Sequence, residues 1–494
     1  MHLIYTSDTH SYLFPTLYAE RGERNMGLMR IAGTIHKDRD TVVIDGGDSL
    51  QGSALSKYVL DRNIRPFPQA QVFRAMGTDI MVPGNHDFNY GYEAFHSFFA
   101  GTGAAILAAN LIDRTGRTTI LPSIIREDSN GIRVAFVGLV TDYIRVWEKK
   151  ENLECFEITD SFSAARRELE AVRNKADYTV LVYHGGFECD IETGERLSDT
   201  NENIAYRIAA ELDYDLILSA HQHMNIPLTK VGNSYAVQCR ANAEFFAEID
   251  IDEDGITGCI RQPEDRISRL EKEYSSLGRD IEAWLDESIA RIEHPITAPT
   301  HLESALRGSR IADFFNTVQL EASHADISCT SLANDLYGFS GNVTIREVIA
   351  SYQYPNALAV IEVGKEELKA ALEHAAEYFA LENGKPAISS AFLLPKVAHY
   401  NYDYYMGIEY AFDLSKPVGE RVSKLLFKGR EIEGKLRLCM NSYRATGAGG
   451  YSVFRSCPVI ESLDLDVQDL AIDYLIRHRD GLSWPEADFS TAGY

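Results

Sequence analysis

Five short segments in the first half of the chain combine carboxylate, imidazole and amide groups at tight spacing. They are Asp8-Thr9-His10, Gly47-Asp48 with Gln51-Gly52, Gly84-Asn85-His86-Asp87, His184-Gly185 and His221-Gln222-His223. These groups are cation ligands. A carboxylate can bridge two cations, neutral imidazole suits Zn, Mn, Fe or Ni, and carboxylate with amide oxygen adds hardness that suits Mn or Mg. In an extended segment, D-x-H and H-x-H each direct two side chains to one side. Singly, each segment has an ordinary reading. A histidine at a strand edge is usually a hydrogen-bonded structural residue, an Asp after a strand is usually a helix cap, and Asn-His-Asp fits a simple turn. Five of them in one chain point instead to a crevice that gathers ligands from separate strand ends.

The elements that would position them repeat one pattern. Short apolar runs occur at Leu3–Tyr5, Val42–Ile44, Ile80–Val82, Val134–Val137, Val180–Tyr183 and Leu216–Leu218, each followed by polar, Gly-rich residues. Such runs, with helical patterns between several of them, predict buried strands of an α/β domain. In open α/β sheets, ligand sites gather just beyond the strand ends. From Glu264 to Ile292 the chain is highly charged, with Ile267, Leu270, Tyr274, Leu277, Ile281, Trp284 and Ile289 at roughly helical spacing. This predicts a helical connector, which Pro295 and Pro299 then punctuate. The expected domains are 1–262, a connector or hinge at 263–300, and 301–494. The last holds an amphipathic helix at Lys365–Phe379, with Leu368, Leu372, Ala375 and Phe379 on one face, and strand-like runs at Ala357–Val363, Ile408–Phe412 and Lys435–Met440.

Bulk properties narrow the function. A net charge of −25 argues against gripping a nucleic acid polymer, which needs phosphate neutralisation by Lys and Arg. A small anion is still a suitable ligand where a metal ion supplies positive charge. The seven cysteines form no CxxC pair and read as reduced thiols of a cytosolic protein. No apolar run approaches the roughly 18 residues of a membrane helix, so no membrane partner is expected. Met1 leads directly into a core strand with no signal segment. The location expected is cytoplasmic, or periplasmic or cell-surface if a leader has been removed.

The ordered ligand set resembles that of the calcineurin-like metallophosphoesterases. Within them, Gly47-Asp48-Ser49-Leu50-Gln51-Gly52-Ser53 and Gly84-Asn85-His86-Asp87-Phe88-Asn89-Tyr90-Gly91 look like the 5′-nucleotidase family. Asn441-Ser442-Tyr443-Arg444-Ala445, Gly447 and Gly449-Gly450-Tyr451 resemble the family's substrate-binding C-terminal domain, as does Tyr400-Asn401-Tyr402-Asp403 leading into Gly407-Ile408. The resemblance implies an N-terminal αββα sandwich followed by an α+β domain. It implies two divalent ions (Mn, Zn or Fe), one on Asp8, His10, Asp48 and His223, the other on Asp48, Asn85, His184 and His221. His86 would stabilise developing charge or protonate the leaving oxygen. The substrate would be a nucleotide whose base stacks between Tyr402 and Tyr451, with Tyr400 a rival to Tyr402. Asn334 and Asn356 are candidate polar contacts to base or ribose, and Arg444 a structural anchor. The two domains would meet to join base site to metal site, rotating about the connector.

Two departures from the family pattern refine the expectation. Many members orient the histidine with an Asp three residues on, where this chain has Asn89; Asp87, in place of a common Glu, could also assist. The 5′-nucleotidase branch carries Asn-Gly-Gly-x-Arg where this chain has Ser331-Leu332-Ala333-Asn334-Asp335, without an Arg. Both departures, with Ser351-Tyr352-Gln353-Tyr354-Pro355-Asn356, resemble the branch that hydrolyses 2′,3′-cyclic nucleotides and 3′-nucleotides. The alternatives are a 5′-nucleotidase or nucleotide-sugar hydrolase, and a non-catalytic binding protein on this fold.

Overall fold

The first apolar run forms β1 (His2–Thr6), which pairs in parallel with β2 (Thr41–Asp45), itself parallel to β3 (Ile80–Met81). The next three runs form β4 (Arg133–Val140), β5 (Tyr178–His184) and β6 (Leu216–Ser219), also parallel to one another. Parallel pairing sends each trio's C-terminal ends to one edge, which is where the ligand segments begin. β1–β3 lie within a seven-stranded sheet and β4–β6 within a six-stranded one.

These features come from a computed structural model, which describes residues 1–197, 201–352, 357–394, 396–479 and 482–494. It divides into two compact units, Met1–Ile281 and Glu282–Tyr494.

Pleating explains why the strand runs are apolar throughout. Leu3, Tyr5, Val42, Ile44, Val134, Phe136, Val180, Val182, Leu216 and Leu218 share one core cluster drawn from both sheets. The alternate residues Ala135, Val137, Leu139, Leu181 and Ile217 point the other way, onto the helices Ser161–Val172 and Ala205–Glu211. Ile4, Val43 and Met81 are likewise buried on the far face of the first sheet. Unit 1 is therefore an αββα sandwich, with both faces of each central strand removed from water.

The charged stretch after unit 1's last strands begins as expected and then departs. Helices Arg269–Glu273 and Ser275–Leu285 form, the first started by reciprocal Ser268 and Glu271 caps. Ile289 is not on a helix. It lies in the strand Ser288–Arg291, paired with Asn342–Thr344.

Unit 2 centres on a five-stranded sheet of β7 (Ile327–Ser331), β8 (Ala357–Val363), β9 (Asp403–Met406), β10 (Leu436–Asn441) and β11 (Val459–Asp466), in the order β9-β7-β10-β8-β11. A separate sheet joins Val422–Leu426, Glu409–Asp413 and Asp488–Ala492. The expected amphipathic helix buries Leu368, Leu372 and Ala375 but spans Lys365–Ala376. Phe379 instead opens the hairpin Phe379–Glu382/Lys385–Ile388. Asn383 and Gly384, at φ 52° and 74°, make the tight turn of that hairpin. Among the described residues no helix is long and apolar enough to cross a membrane.

Candidate metal centre

The Asp8, Asp48 and His221 segments turn sharply just past strand ends, His184 is itself the last residue of β5, and Asn85 opens a short 3-10 helix after β3. Asp8, His10, Asp48, His221 and His223 all adopt positive φ, at 50°, 47°, 56°, 73° and 58°. The extended D-x-H and H-x-H geometry expected from spacing is thus replaced by left-handed turns. Non-glycine residues persist in this region only where the surroundings over-determine them, and such strain concentrates at functional sites.

The surroundings here are explicit. Asp8 N–H donates to Gly47 O and His10 N–H to Asp48 O, both at 2.8 Å, stitching the first two loops together. Asp87 is fully buried and accepts four backbone N–H groups, from Asp48, Ser49, Leu50 and Gly84, at 2.8–3.0 Å. Both of its oxygens are committed to the loops that carry Asp48 and Asn85. Gly84 is required by closeness, since a Cβ there would lie 2.1 Å from Asp48 Oδ1.

The loops bring the candidate ligands together as two clusters, Asp8/His10/His223 and Asp48/His184/His221. In each, the ligand atoms lie within 4.8 Å of one another. Hydrogen-bond direction tests whether these groups suit cations. His10 Nδ1 lies 2.8 Å from Gln51 O, and His184 Nδ1 lies 2.7 Å from Gly46 O. Backbone carbonyls only accept, so both rings carry their proton on Nδ1 and present an Nε2 lone pair. His10 Nε2 faces His223 Nε2 at 3.1 Å, and His184 Nε2 faces Asn85 Oδ1 at 3.1 Å and Asp48 Oδ2 at 3.2 Å. Converging lone pairs are stable around a proton or a metal ion, so the donor set fits two cations.

Protons compete with cations for such lone pairs. Burial opposes charging the His184 ring, but Asp48 overrides it and pushes the imidazole up to about 10. Burial works against the Asp48 carboxylate, yet His184 and His86 hold it well below the usual range. His10 is lowered, by burial first. Burial raises Asp87 to about 6, with the Asp48 charge adding to it.

His86 is half-buried at the same site, its ring 5.6 Å from that of His10, and its backbone N–H donates to Asp48 Oδ1 at 2.7 Å. Its Nδ1 lies 2.8 Å from Asn89 Oδ1. Three contributors carry no signal in the ligand spacing. Trp147 stacks on the His221 ring at 5.3 Å and 24°. Glu202 Oε1 lies 3.1 Å from His221 Nε2, and Glu148 contacts Asn89. Such carboxylate–histidine contacts orient a ligand ring.

The aromatic candidates of unit 2 fare differently. Tyr402 and Tyr451 are 2% and 1% exposed. Tyr402 packs against Tyr378 and Tyr404 and donates its hydroxyl to Ala305 O. Tyr451 lies under the Arg444 guanidinium at 4.3 Å, parallel to Phe454, and donates to Asn401 O. Hydroxyl partners and aromatic neighbours enclose both rings in this structure, so a base stacked between them requires these neighbours to move. Tyr400 is half-buried with Lys396 Nζ 5.8 Å from its ring. Asn334 ties loops together, donating to Val397 O and accepting from His399 N–H at 3.0 Å each. Asn356 lies outside the described residues. Arg444 is buried and pairs with Asp403 at 2.9 Å, a structural anchor.

Comparison with known proteins agrees with both units. Residues 1–225 match the calcineurin-like phosphoesterase family, and residues 288–456 match the 5′-nucleotidase C-terminal domain. The chain is 22% identical to a Bacillus subtilis trifunctional nucleotide phosphoesterase protein, covering 97% of this chain and 38% of that protein. It is 24% identical to a Salmonella typhimurium 2′,3′-cyclic-nucleotide 2′-phosphodiesterase/3′-nucleotidase, covering 90% of this chain and 81% of the relative. A solved Staphylococcus aureus chain described as a candidate 5′-nucleotidase superposes with TM-score 0.92 at 29% identity, covering 99% of each chain. The Thermus thermophilus 5′-nucleotidase precursor shares the fold at TM-score 0.66 and 18% identity, covering 100% of this chain and 99% of that one. The chain belongs to the calcineurin-like metallophosphoesterases of the 5′-nucleotidase family.

Proposed function

We propose that this phosphoesterase hydrolyses nucleotides, favouring 2′,3′-cyclic nucleotides and 3′-nucleotides. The observation that carries the reading is His86, held by the Asn89 amide beside the two ligand clusters. The relatives named as 2′,3′-cyclic-nucleotide 2′-phosphodiesterase/3′-nucleotidase support it, as does the lack of an Arg in Ser331–Asp335.

Asp8, His10, Asp48 and His223 would hold one divalent ion, and Asp48, Asn85, His184 and His221 the other. Two such ions supply charge neutralisation at the phosphoryl group and acidify an attacking water. With Nδ1 engaged by Asn89, the His86 ring keeps Nε2 for the substrate. As water adds to phosphorus and releases a proton to solvent, the bond to the 2′ oxygen breaks and His86 delivers its Nε2 proton to that oxygen, leaving a 3′-nucleotide; solvent then returns a proton to Nε2. A second hydrolysis breaks the bond to the 3′ oxygen and leaves nucleoside and phosphate. Tyr400, Tyr402 and Tyr451 are the candidate rings for the base, Tyr400 being the half-buried one of the three.

A 5′-nucleotidase is the second reading, favoured by the Staphylococcus aureus neighbour. A substrate panel of 2′,3′-cyclic AMP, 3′-AMP, 5′-AMP and a nucleotide sugar distinguishes them. Dominant turnover of the first two supports the proposal, and dominant turnover of 5′-AMP replaces it with the second reading.

A further inference from the structure

The Asn89 amide touches His86 on one side and a carboxylate on the other. Asn89 Nδ2 donates to Glu148 Oε2 at 2.5 Å, while Glu148 Oε1 accepts from Lys149 N–H at 2.7 Å and Asn152 Nδ2 at 2.8 Å. Asn152 Nδ2 also donates to the Asn89 carbonyl at 3.1 Å. A carboxylate only accepts, so Glu148 obliges Asn89 to turn its NH2 outward and its oxygen toward the ring. That oxygen obliges His86 Nδ1 to carry a proton. The direction of every bond in the chain Glu148–Asn89–His86 is therefore set at Glu148.

We propose that Glu148 is a positioning residue, acting through Asn89 to fix the His86 tautomer and to supply, one residue removed, the negative charge that an aspartate would place directly on the ring. The inference rests on the leaving-group role of His86 proposed above. It also gives the short helix Ile144–Trp147 a function, since its C-terminal neighbour is Glu148.

Glu148→Gln reverses the chain. Its carbonyl stays with the Lys149 and Asn152 donors, its NH2 faces Asn89, the Asn89 amide flips, and His86 Nδ1 must become an acceptor. Asn89→Asp sets two carboxylates against each other. The double variant Asn89→Asp/Glu148→Gln exchanges amide and carboxylate: the amide at position 148 then donates to the carboxylate at position 89, and His86 Nδ1 again donates to position 89.

The test compares these variants on 3′-AMP, whose ribose oxygen needs a proton to leave, and on p-nitrophenyl phosphate, whose phenolate does not. Glu148→Gln should lower kcat on 3′-AMP about tenfold, with KM within about twofold, and slow the aryl ester less than about threefold. The double variant should return to within about threefold of the parent. Equal losses on both substrates, a loss carried by KM, or no rescue in the double variant overturns the inference. His86→Ala separates the two levels. If it turns over 3′-AMP at the parental rate, the His86 role fails and this inference with it. If it is impaired while Glu148→Gln is not, this inference alone fails.

Discussion

Asp87 shows how one side chain can hold a centre it does not enter. Its two oxygens gather four backbone N–H groups from the Asp48 loop and from Gly84. Asp45 repeats the device within the Asp48 loop, accepting from Thr6 and Ser49 hydroxyls and from Gly47 N–H. Removing Asp87 would leave four buried donors without a partner, each costing roughly 1–3 kcal/mol before relaxation. Asp87→Ala is therefore expected to lose at least about 3 kcal/mol of stability by urea unfolding, and to lose metal affinity with it. A loss below about 1 kcal/mol would mean that water replaces the carboxylate and that the loops hold themselves.

At the scale of elements, the strand ends and the loops that follow them divide the work of packing and chemistry. The strands were legible because parallel strands covered on both faces read as continuous apolar runs. The ligand set was legible because chemically related residues recur just after those runs. Its geometry was not, since spacing suggests extended D-x-H while Asp8 and His10 sit at φ 50° and 47°. Glu148 was hidden in Trp147-Glu148-Lys149-Lys150, which reads as solvated charge. Tyr451 follows Gly449-Gly450 and is nonetheless enclosed by Arg444 and Phe454, a burial that the local sequence does not signal. One element-level contact makes a pH prediction in unit 2. His301 and His399 stack at 3.9 Å, and the Tyr378 hydroxyl lies 2.7 Å from His399 Nδ1. Burial lowers His301, while burial and then the His301 ring push His399 down to about 4. Between pH 4 and the ordinary value near 6.5, the unfolded chain binds protons that the folded chain does not. Stability is thus fully present above about 6.5 and is lost as pH falls toward about 4. Urea midpoints at pH 7 and pH 5 check this. His399→Gln should flatten the difference, and an unchanged difference would place the effect elsewhere.

The whole molecule carries a net charge of −25, and yet its proposed substrate is an anion. Local positive charge has to come from cations held in the two clusters. Cations that bind only the folded chain stabilise it, by about 2.7 kcal/mol at a hundredfold excess over Kd. Chelation should therefore lower the thermal midpoint and Mn should restore it; a midpoint indifferent to both would argue against the cation sites. The proposed substrate is tested most directly by turnover. Purified, Mn-loaded protein is offered 2′,3′-cyclic AMP, 3′-AMP, 5′-AMP and a nucleotide sugar, with His86→Ala alongside. The account predicts 3′-AMP and then adenosine from the cyclic substrate as the dominant reaction, slowed about 10²-fold or more in His86→Ala. Dominant turnover of 5′-AMP, or a His86→Ala protein as fast as its parent, would contradict it.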